Sequence, residues 1–384
     1  MTIKDRTAIV GIGQTAYAKG LEGSELSLAC QAIKAALDDA GLTPADVDGM
    51  SSYAMEANVE ADVARNLGTG DVTWFSQVGF GGGAGCGVVG NAAMAVASGQ
   101  CQVAIAWRAR KRAARGSRPW AQTAERVKGL GEWSRPWGLV RPVDEIAMLT
   151  RRYMHEYGAT RDHLANVATA FRKHANRNPA AQMYDKKMTR EDYMGARWIS
   201  EPLCLFDNCL ETDGAVACVI TSVERARDLR QPPAVIHSFG QGINPQHQVM
   251  TNYHRDDPLM GPAWACSEVL WRNADVTPDD VDVAQIYDAF SPLIPLSLEG
   301  YGFCKRGEGG EFTDNGALEW PNGRLPTNTS GGGMSEAYVH GFNLIVEGVR
   351  QIRGTSTSQV EDVEVSMVTS GEGVPTSALL LGKG

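Results

Sequence analysis

The order of apolar and polar residues along the chain predicts helices that alternate with short buried strands. Residues 29–48 read ACQAIKAALDDAGLTPADVD, and their apolar side chains recur at the three- and four-residue spacing of an amphipathic helix. Apolar stretches at residues 7–13 and 49–53 have the length of buried strands and lie on either side of this helix. This alternation is typical of α/β proteins, in which helices cover both faces of a parallel sheet.

The same succession of elements occurs a second time. Residues 263–282 read AWACSEVLWRNADVTPDDVD and repeat both the helix and its Thr-Pro-x-Asp-Val-Asp turn, while residues 234–240 and 283–287 repeat the strands. In each half a glycine triplet then begins a helix that leads to a further strand, first at Gly81–Gly83 and again at Gly331–Gly333. Two matches in the same order predict a duplicated α/β architecture.

The duplication divides the chain into two predicted halves, residues 1–222 and 223–384. The second glycine-led helix is expected to begin near Ser335 and to run without interruption to Arg353. Residues from about 108 to 200 are charged, rich in predicted helix and unmatched in the second half. We therefore expect them to form a helical loop-domain insertion.

Composition and charge exclude several classes of protein. The 384 residues carry a formal net charge of −9, which argues against binding to nucleic acid or a membrane surface through positive charge. No apolar run approaches the ~18 residues of a membrane span, and the first residues lack an apolar leader. Eight cysteines form no CxxC pair, which argues against a zinc site and a disulfide scaffold. We expect a cytoplasmic enzyme with reduced thiols and no metal.

Glycine is in excess, at 43 of 384 residues, and part of that excess lies at the two predicted helix starts. Free N–H groups at a helix N-terminus suit an anion or a developing oxyanion, and glycine lets a ligand approach the main chain. Gly82, Gly83, Gly332 and Gly333 are therefore candidate ligand-binding residues. The alternative for the first cluster is helix–helix packing across a dimer interface. No phosphate-binding GxxxxGK[ST] motif occurs.

The order of motifs resembles the thiolase superfamily over nearly the whole chain. The resemblance rests on Ile9–Gly13, Thr212–Ala215, Tyr287–Phe290, Gly331–Tyr338 and Ser370–Gly373. It implies a thiolase-like duplicated fold of α/β/α/β/α layers with a helical loop-domain insertion, and a homodimer formed through the first half.

The departures from the thiolase pattern remove its functional side chains. Gly82 stands where a thiolase has its nucleophilic cysteine, and Cys86 lies four residues later. Tyr287 stands at the Asn or His position, Tyr338 at the histidine of Gly-His-Pro, and Ser370 at the second catalytic cysteine. Claisen chemistry through an acyl-cysteine therefore lacks its nucleophile and its bases.

Within the superfamily the chain is similar to the thiolase-like lipid-transfer-protein branch that acts as steroid side-chain aldolases. The motifs that carry this similarity are Tyr287–Phe290, Glu299–Gly302, Glu336–Gly341 and His174–Pro179. The resemblance implies retro-aldol cleavage of a β-hydroxy acyl-CoA thioester of a steroid, which releases a ketosteroid and a short, propionyl-CoA-like product. It also implies a small OB-fold partner of the DUF35 type and no cofactor in this chain.

Retro-aldol cleavage needs a base for the β-hydroxyl proton and an acid for the enolate carbon, but no covalent nucleophile. Tyr287 and Tyr338 are the candidates, and the sequence does not assign base and acid between them. Tyrosine has an ordinary pKa of about 10, so it needs a stabilised phenolate or a proton transfer concerted with cleavage. Tyr338 is expected in the first turn of a helix, where the dipole favours a phenolate. His340, about 200° further round that helix, is expected to face away.

A basic segment departs from the acidic balance, with six basic residues between Arg108 and Arg118. In a CoA-dependent superfamily Arg108 and Arg110 could bind the CoA phosphates, because arginine matches phosphate geometry. Docking of an acidic partner surface and a solvated basic loop are the alternatives.

Two other functions stay open at this point. One is an acyltransferase that uses Cys86 as a displaced nucleophile, although a small buried helix residue is the simpler interpretation of this cysteine. The other is a non-catalytic carrier of lipid or acyl-CoA.

Overall fold

The computed structural model describes residues 3–54, 58–111, 129, 131–246 and 250–384. Within these ranges the chain forms strands and helices in alternation, as the sequence predicts. The strands are β1 (Thr7–Gln14), β2 (Gly49–Tyr53), β3 (Trp74–Val78), β4 (Val103–Arg110), β5 (Trp198–Ser200), β6 (Leu203–Cys204), β7 (Gly214–Ser222), β8 (Ala234–Gly242), β9 (Val283–Gln285), β10 (Val365–Ser370) and β11 (Thr376–Lys383). The helices are α1 (Glu25–Ala40), α2 (Glu60–Leu67), α3 (Gly85–Ala97), α4 (Gly131–Ser134), α5 (Pro142–Tyr157), α6 (Arg161–Ala175), α7 (Arg190–Met194), α8 (Val223–Ala226), α9 (Ala263–Arg272), α10 (Leu293–Gly300), α11 (Gly309–Phe312), α12 (Gly332–Ser335) and α13 (Phe342–Arg353).

Nine of the strands form one hydrogen-bonded sheet in the order β3-β2-β4-β7-β1-β8-β11-β10-β9. Pairing is parallel only toward the two edges, between β2 and its neighbours β3 and β4 and between β9 and β10. The remaining pairs are antiparallel. The expectation of parallel sheets was therefore wrong for the centre of the sheet. Strands β7 and β11 run antiparallel to both of their neighbours, and β1 runs antiparallel to β8.

The duplication is visible in the strand order on either side of the β1–β8 contact. From β1 outward the order is β7, β4, β2 and β3, and from β8 outward it is β11, β10 and β9. A parallel bridge between Ala284 and Thr327 lies where the second copy of β3 would be. The exact division of the chain at residue 222 stays a prediction.

The two half-sheets enclose a central layer of helices. β1 and β8 pair over only two residue pairs, Ala8 with Val235 and Ile9 with Ala234, so the half-sheets join along a short seam. Helices α3 and α13 contact strands of both half-sheets, whereas α1 covers only the first and α9 only the second among the more extensive contacts. The result is the α/β/α/β/α layering that the sequence resemblance implies, with α3 and α13 in the middle.

Among the described residues, helices α4–α7 and strand β5 lie within the predicted insertion, and β5 pairs with β6 just beyond it. Its start needs correction, because Arg108 and Arg110 belong to β4 and not to a loop. Of the basic segment, residues 112–118 lie outside the described residues. Across the described ranges, no helix is both long and apolar enough to cross a membrane.

Candidate active site

Tyr287 and Tyr338 meet in the middle of the molecule. Tyr287 follows the end of β9, where its N–H donates to Thr369 Oγ1 at 3.0 Å. Tyr338 lies in the connection between α12 and α13. Their hydroxyl groups are hydrogen-bonded to each other and their ring centroids are 6.1 Å apart. Both side chains are nearly buried, so the fold brings together the two tyrosines that the sequence selects, 51 residues apart along the chain.

The backbone around Tyr338 differs from the sequence prediction. Helix α12 ends at Ser335 and α13 begins only at Phe342, so the expected continuous helix is interrupted. His340 and Gly341 have φ values of +49° and +77°, and this left-handed backbone cannot continue an α-helix. The first-turn dipole argument for a Tyr338 phenolate was therefore wrong. The expected orientation of His340 was wrong too, since its ring packs edge-on against Tyr338 with centroids 5.1 Å apart.

Gly82 leaves the space that the Tyr287 hydroxyl occupies. A short 3₁₀ turn, Gly81–Ala84, precedes α3 and carries this glycine against the Tyr287 hydroxyl. A Cβ atom added at Gly82 would lie 2.8 Å from Tyr287 Cε2 and closer still to the hydroxyl oxygen. No side chain at position 82 can share the site with Tyr287 in this position, so the tyrosine pair takes the place of a side chain on the first helix start.

Cys86 is built into the core. Its side chain is fully buried, its Sγ lies 3.5 Å from the carbonyl oxygen of Val368, and its N–H donates to Ser370 Oγ at 2.8 Å. Burial raises the pKa of the Cys86 thiol to about 12. Because the thiolate is the nucleophilic form of cysteine, this residue is poorly suited to attack a thioester. Ser370 ties the end of β10 to the start of α3.

Comparison with known proteins places this chain in a family. The 17-hydroxy-3-oxo-4-pregnene-20-carboxyl-CoA lyase of Mycobacterium tuberculosis is 47% identical over 99% of this chain and 100% of its own length. The steroid side-chain-cleaving aldolase of Thermomonospora curvata is 46% identical over 98% of this chain and 97% of its own. The chain belongs to the steroid side-chain-cleaving aldolases. It is an enzyme, a carbon–carbon lyase, as the sequence predicts.

Structural comparison agrees with this assignment. A solved structure described as an Ltp2-ChsH2(DUF35) aldolase superposes with a TM-score of 0.95 at 44% identity and covers 100% of this chain and 99% of that one. Residues 245–381 match the family described as thiolase C-terminal domain-like. The thiolase-like fold of the aldolase is therefore confirmed.

The electrostatics around the tyrosine pair favour a protonated Tyr287 at rest. Burial raises the pKa of Tyr287 well above the ordinary value, and the neighbouring Tyr338, Cys209 and Tyr53 raise it further. A standing phenolate at Tyr287 is therefore disfavoured. Of the two possibilities left by the sequence, proton transfer concerted with bond cleavage fits this environment better.

Three of the other predicted glycines are explained by packing. A Cβ at Gly83 would lie 2.7 Å from the carbonyl carbon of Pro375, and one at Gly332 would lie 2.6 Å from Asn328 Nδ2. A Cβ at Gly333 would lie 3.0 Å from both Asp288 Oδ1 and Tyr338 Cδ2. Their assignment to the CoA thioester stays a prediction, whereas the close approach of neighbouring groups accounts for glycine at each position.

Asp288 joins the segment that carries Tyr287 to the start of α12, the second glycine-led helix. Its carboxylate accepts hydrogen bonds from the N–H groups of Gly333 at 2.7 Å and Met334 at 3.1 Å. Burial raises its pKa to about 7, against the lowering effect of those N–H groups. Asp288 therefore caps the N-terminus of α12.

Arg108 and Arg110 lie on β4 in different environments. Arg108 is fully buried and its guanidinium carbon stands 3.9 Å from the centre of the Tyr53 ring, whereas Arg110 is partly exposed at the strand end. The position of Arg108 against Tyr53 is a packing role that the sequence does not indicate. Binding of CoA phosphates by either arginine stays a prediction.

Sequence reasoning missed two residues that contact the tyrosine segment. The Tyr53 hydroxyl donates to the carbonyl oxygen of His340 at 3.3 Å, and Thr212 Oγ1 accepts from the N–H of Tyr338 at 2.8 Å. Thr212 stands in a motif that serves only for the family resemblance, and Tyr53 ends the strand that the repeat matches to the strand of Tyr287. The repeat could have pointed to Tyr53, whereas nothing in the spacing relates Thr212 to Tyr338. Over the described ranges, no group of three or more His, Cys, Asp and Glu side chains is arranged to hold a metal ion.

Proposed function

We propose that this aldolase cleaves the side chain of a steroid β-hydroxy acyl-CoA thioester and releases a ketosteroid and a propionyl-CoA-like product. The observation that carries the proposal is the hydrogen-bonded pair of Tyr287 and Tyr338 hydroxyls above Gly82. Such a site offers proton transfer without a covalent nucleophile, which is what retro-aldol chemistry needs. The full-length similarity to a 17-hydroxy-3-oxo-4-pregnene-20-carboxyl-CoA lyase supports the substrate class.

In this reaction the tyrosine pair moves one proton and ends as it began. One tyrosine hydroxyl takes the proton of the β-hydroxyl group and passes its own proton to the other tyrosine while the bond between the α- and β-carbons breaks. The β-carbon becomes the ketone, and the electron pair of the broken bond forms the thioester enolate. In the same concerted event the other tyrosine gives its original proton to the α-carbon on which the enolate develops, which gives the short acyl-CoA. The step is redox-neutral, so we propose that it requires no cofactor in this chain.

The direction of the Tyr287 pKa shift constrains the timing. Because burial and Tyr338 both disfavour a phenolate at Tyr287, a fully formed phenolate would be a costly intermediate. Proton transfer during cleavage avoids that state, since the hydrogen-bonded partner can give up its own proton to the enolate carbon. We propose that the two hydroxyls act as one unit and leave base and acid unassigned between them.

We also propose two protein partners. A small OB-fold protein of the DUF35 type is supported by the described aldolase complex that this chain superposes on. A second copy of the chain is supported by β3, an edge strand that pairs only with β2 among the described strands. Phe75 on β3 is 68% exposed and Phe80 beyond it is 61% exposed, and an exposed apolar edge of this kind is typical of an interface.

The eight cysteines are all free thiols, which supports the proposal that the enzyme works in the reducing cytoplasm.

We propose that the CoA thioester approaches the main chain at Gly82 and Gly83. Of the two arginines proposed to bind the CoA phosphates, Arg110 is the more accessible. The substitution Arg110→Ala should then raise KM for the CoA ester without a matching fall in kcat.

The test is cleavage of a steroid β-hydroxy acyl-CoA by the chain co-expressed with a DUF35-type partner, followed by mass analysis of both products. Tyr287→Phe and Tyr338→Phe should each lower kcat about a hundredfold or more, since each removes a proton-transfer hydroxyl and little volume. Tyr184, which is 39% exposed, provides the matched control as Tyr184→Phe. Wild-type rates in both site variants would refute the proposed roles.

The same assay separates the alternatives. A carrier would bind the thioester and yield no ketosteroid even with the partner present. An acyltransferase would lose activity in Cys86→Ala and form a trapped acyl-enzyme. Thiol alkylation is a poor substitute for that variant, because Cys209 is half-buried and close enough to Tyr287 to raise its pKa, so a reagent there would obstruct the site.

A further inference from the structure

The segment that carries Tyr338 has no helix of its own to hold it. Residues 336–341 connect α12 to α13. The Tyr338 N–H donates to a side chain, Thr212 Oγ1, at 2.8 Å. The Tyr338 hydroxyl is bonded to Tyr287, so these two contacts restrain opposite ends of the residue. The backbone contact therefore affects where the hydroxyl lies.

Thr212 is itself held firmly. It is fully buried, and the next residue, Asp213, exchanges backbone hydrogen bonds with Ala18 at 2.8 and 3.3 Å. The Asp213 carboxylate accepts from the N–H groups of Gly20 at 3.0 Å and Leu21 at 3.1 Å. Strand β7 begins directly after this residue, at Gly214. Thr212 is thus anchored to the first half-sheet while it contacts a segment of the second half.

The helical insertion reaches the same hydroxyl. Gln182, which follows α6, donates from Nε2 to Thr212 Oγ1. Its N–H also donates to the Glu336 carbonyl at 2.9 Å, and the N–H of Met183 donates to the Ser335 carbonyl at 3.2 Å. The insertion therefore pairs along the segment just before Tyr338 and, through its side chain, fixes the Thr212 hydroxyl that accepts from Tyr338.

We propose that Thr212 is a positioning residue for Tyr338, and that Gln182 links the helical insertion to the same hydroxyl group. This inference rests on the proposed function of the tyrosine pair. Thr212 orients the Tyr338 backbone so that the phenol meets Tyr287 and the reacting hydroxyl. A displacement of about 1 Å in such a group is enough to slow catalysis substantially.

The test uses Thr212→Val, which keeps the shape and removes the acceptor, and Thr212→Ser, which restores the hydroxyl. Thr212→Val should lower kcat on the order of tenfold or more, with KM within about twofold, and Thr212→Ser should recover most of the rate. Gln182→Leu should have a smaller effect, because Tyr338 keeps its acceptor. Thr221, which is also fully buried and donates to the Gln102 carbonyl, supplies the matched control Thr221→Val.

Two further measurements separate positioning from a general loss of stability. Hydrogen–deuterium exchange of the peptide containing Tyr338 should be faster in Thr212→Val, and unchanged in Thr212→Ser and Thr221→Val. In a Tyr338→Phe background, Thr212→Val should add little, because the group it positions is already absent.

Wild-type kcat in Thr212→Val, unchanged exchange at Tyr338, or an equal fold loss in both backgrounds would each overturn the positioning role. If Tyr338→Phe has strongly reduced activity and Thr212→Val is fully active, only the positioning role fails. If Tyr338→Phe cleaves at the wild-type rate, the proposed function of the pair fails and the positioning role is overturned with it.

Discussion

The first glycine-led start passes through a 3₁₀ turn into the thirteen-residue helix α3 (Gly85–Ala97), whereas the second stops after the four residues of α12 (Gly332–Ser335). The N–H groups of Cys86 and Gly87 at the first start donate to Ser370 and Ser377 from the other half. At the second start the chain leaves the helix for six residues before α13 begins at Phe342. The N–H groups of Cys86 and Gly87 at the first start are thus bonded to the other half of the protein. The second start leads instead into the non-helical segment that carries the Tyr338 side chain.

This difference shows how a duplicated element can divide one site between its copies. The first copy has no side chain at Gly82 and therefore leaves space in the site. The second copy supplies the Tyr338 phenol from the segment between α12 and α13. Tyr287 fills the space between them. The two copies are therefore complementary in shape. The site would not form if both copies had the same geometry.

The most severe way to disturb this complementarity is to return a side chain to the first copy. Gly82→Ala places a Cβ where the Tyr287 hydroxyl lies and should displace the tyrosine pair. We expect kcat to fall about a hundredfold, because the proposed proton-transfer groups leave the productive geometry. Steady-state cleavage of a steroid β-hydroxy acyl-CoA measures the loss.

Gly79→Ala is the matched control, since a Cβ there meets nothing within 4 Å and the backbone φ is not in the left-handed region. It should retain activity close to that of the wild type. Equal rates in Gly82→Ala and the wild type would mean that Tyr287 need not occupy the space above Gly82.

Much of this arrangement can be predicted from the sequence because it depends on repeated patterns. The repeated helix, turn and strands predict the duplication, whereas Gly82, Tyr287 and Tyr338 are selected by their places in the motifs that resemble those of thiolases. The interruption after Ser335 could not be predicted in this way, since Glu336–Tyr338 are compatible with a helix and the left-handed φ at His340 is set by tertiary contacts. Thr212 and Tyr53 were missed for a related reason, because their contacts with residues 338–340 join segments far apart in the sequence.

The second copy can be disturbed at Gly341, where the interrupted stretch ends. A Cβ there would lie 2.8 Å from Tyr287 Cδ2, and the backbone φ is +77°. Gly341→Ala should therefore lower kcat about tenfold through contact with Tyr287 and destabilise the fold by about 1 kcal/mol or more through backbone strain. Kinetics and thermal unfolding measure the two effects separately.

Gly354→Ala isolates the strain, because φ at Gly354 is +72° and a Cβ there meets nothing within 4 Å. The two variants should lose comparable stability, and only Gly341→Ala should lose activity. Similar activity in both would show that the contact with Tyr287 has no part in catalysis.

The smallest expected effect on kcat is that of substituting Cys86. This substitution tests whether the first copy supplies a nucleophile. Cys86 is fully buried, its N–H is bonded to Ser370, and burial raises its pKa to about 12. Cys86→Ala should therefore leave kcat within about twofold of the wild type, while the lost packing lowers the free energy of unfolding by about 1 kcal/mol. Cys218→Ala, at another fully buried thiol on β7, controls for that packing loss. A large fall in kcat in Cys86→Ala alone would place a working nucleophile on the first start, and the division of roles between the two copies would then be wrong.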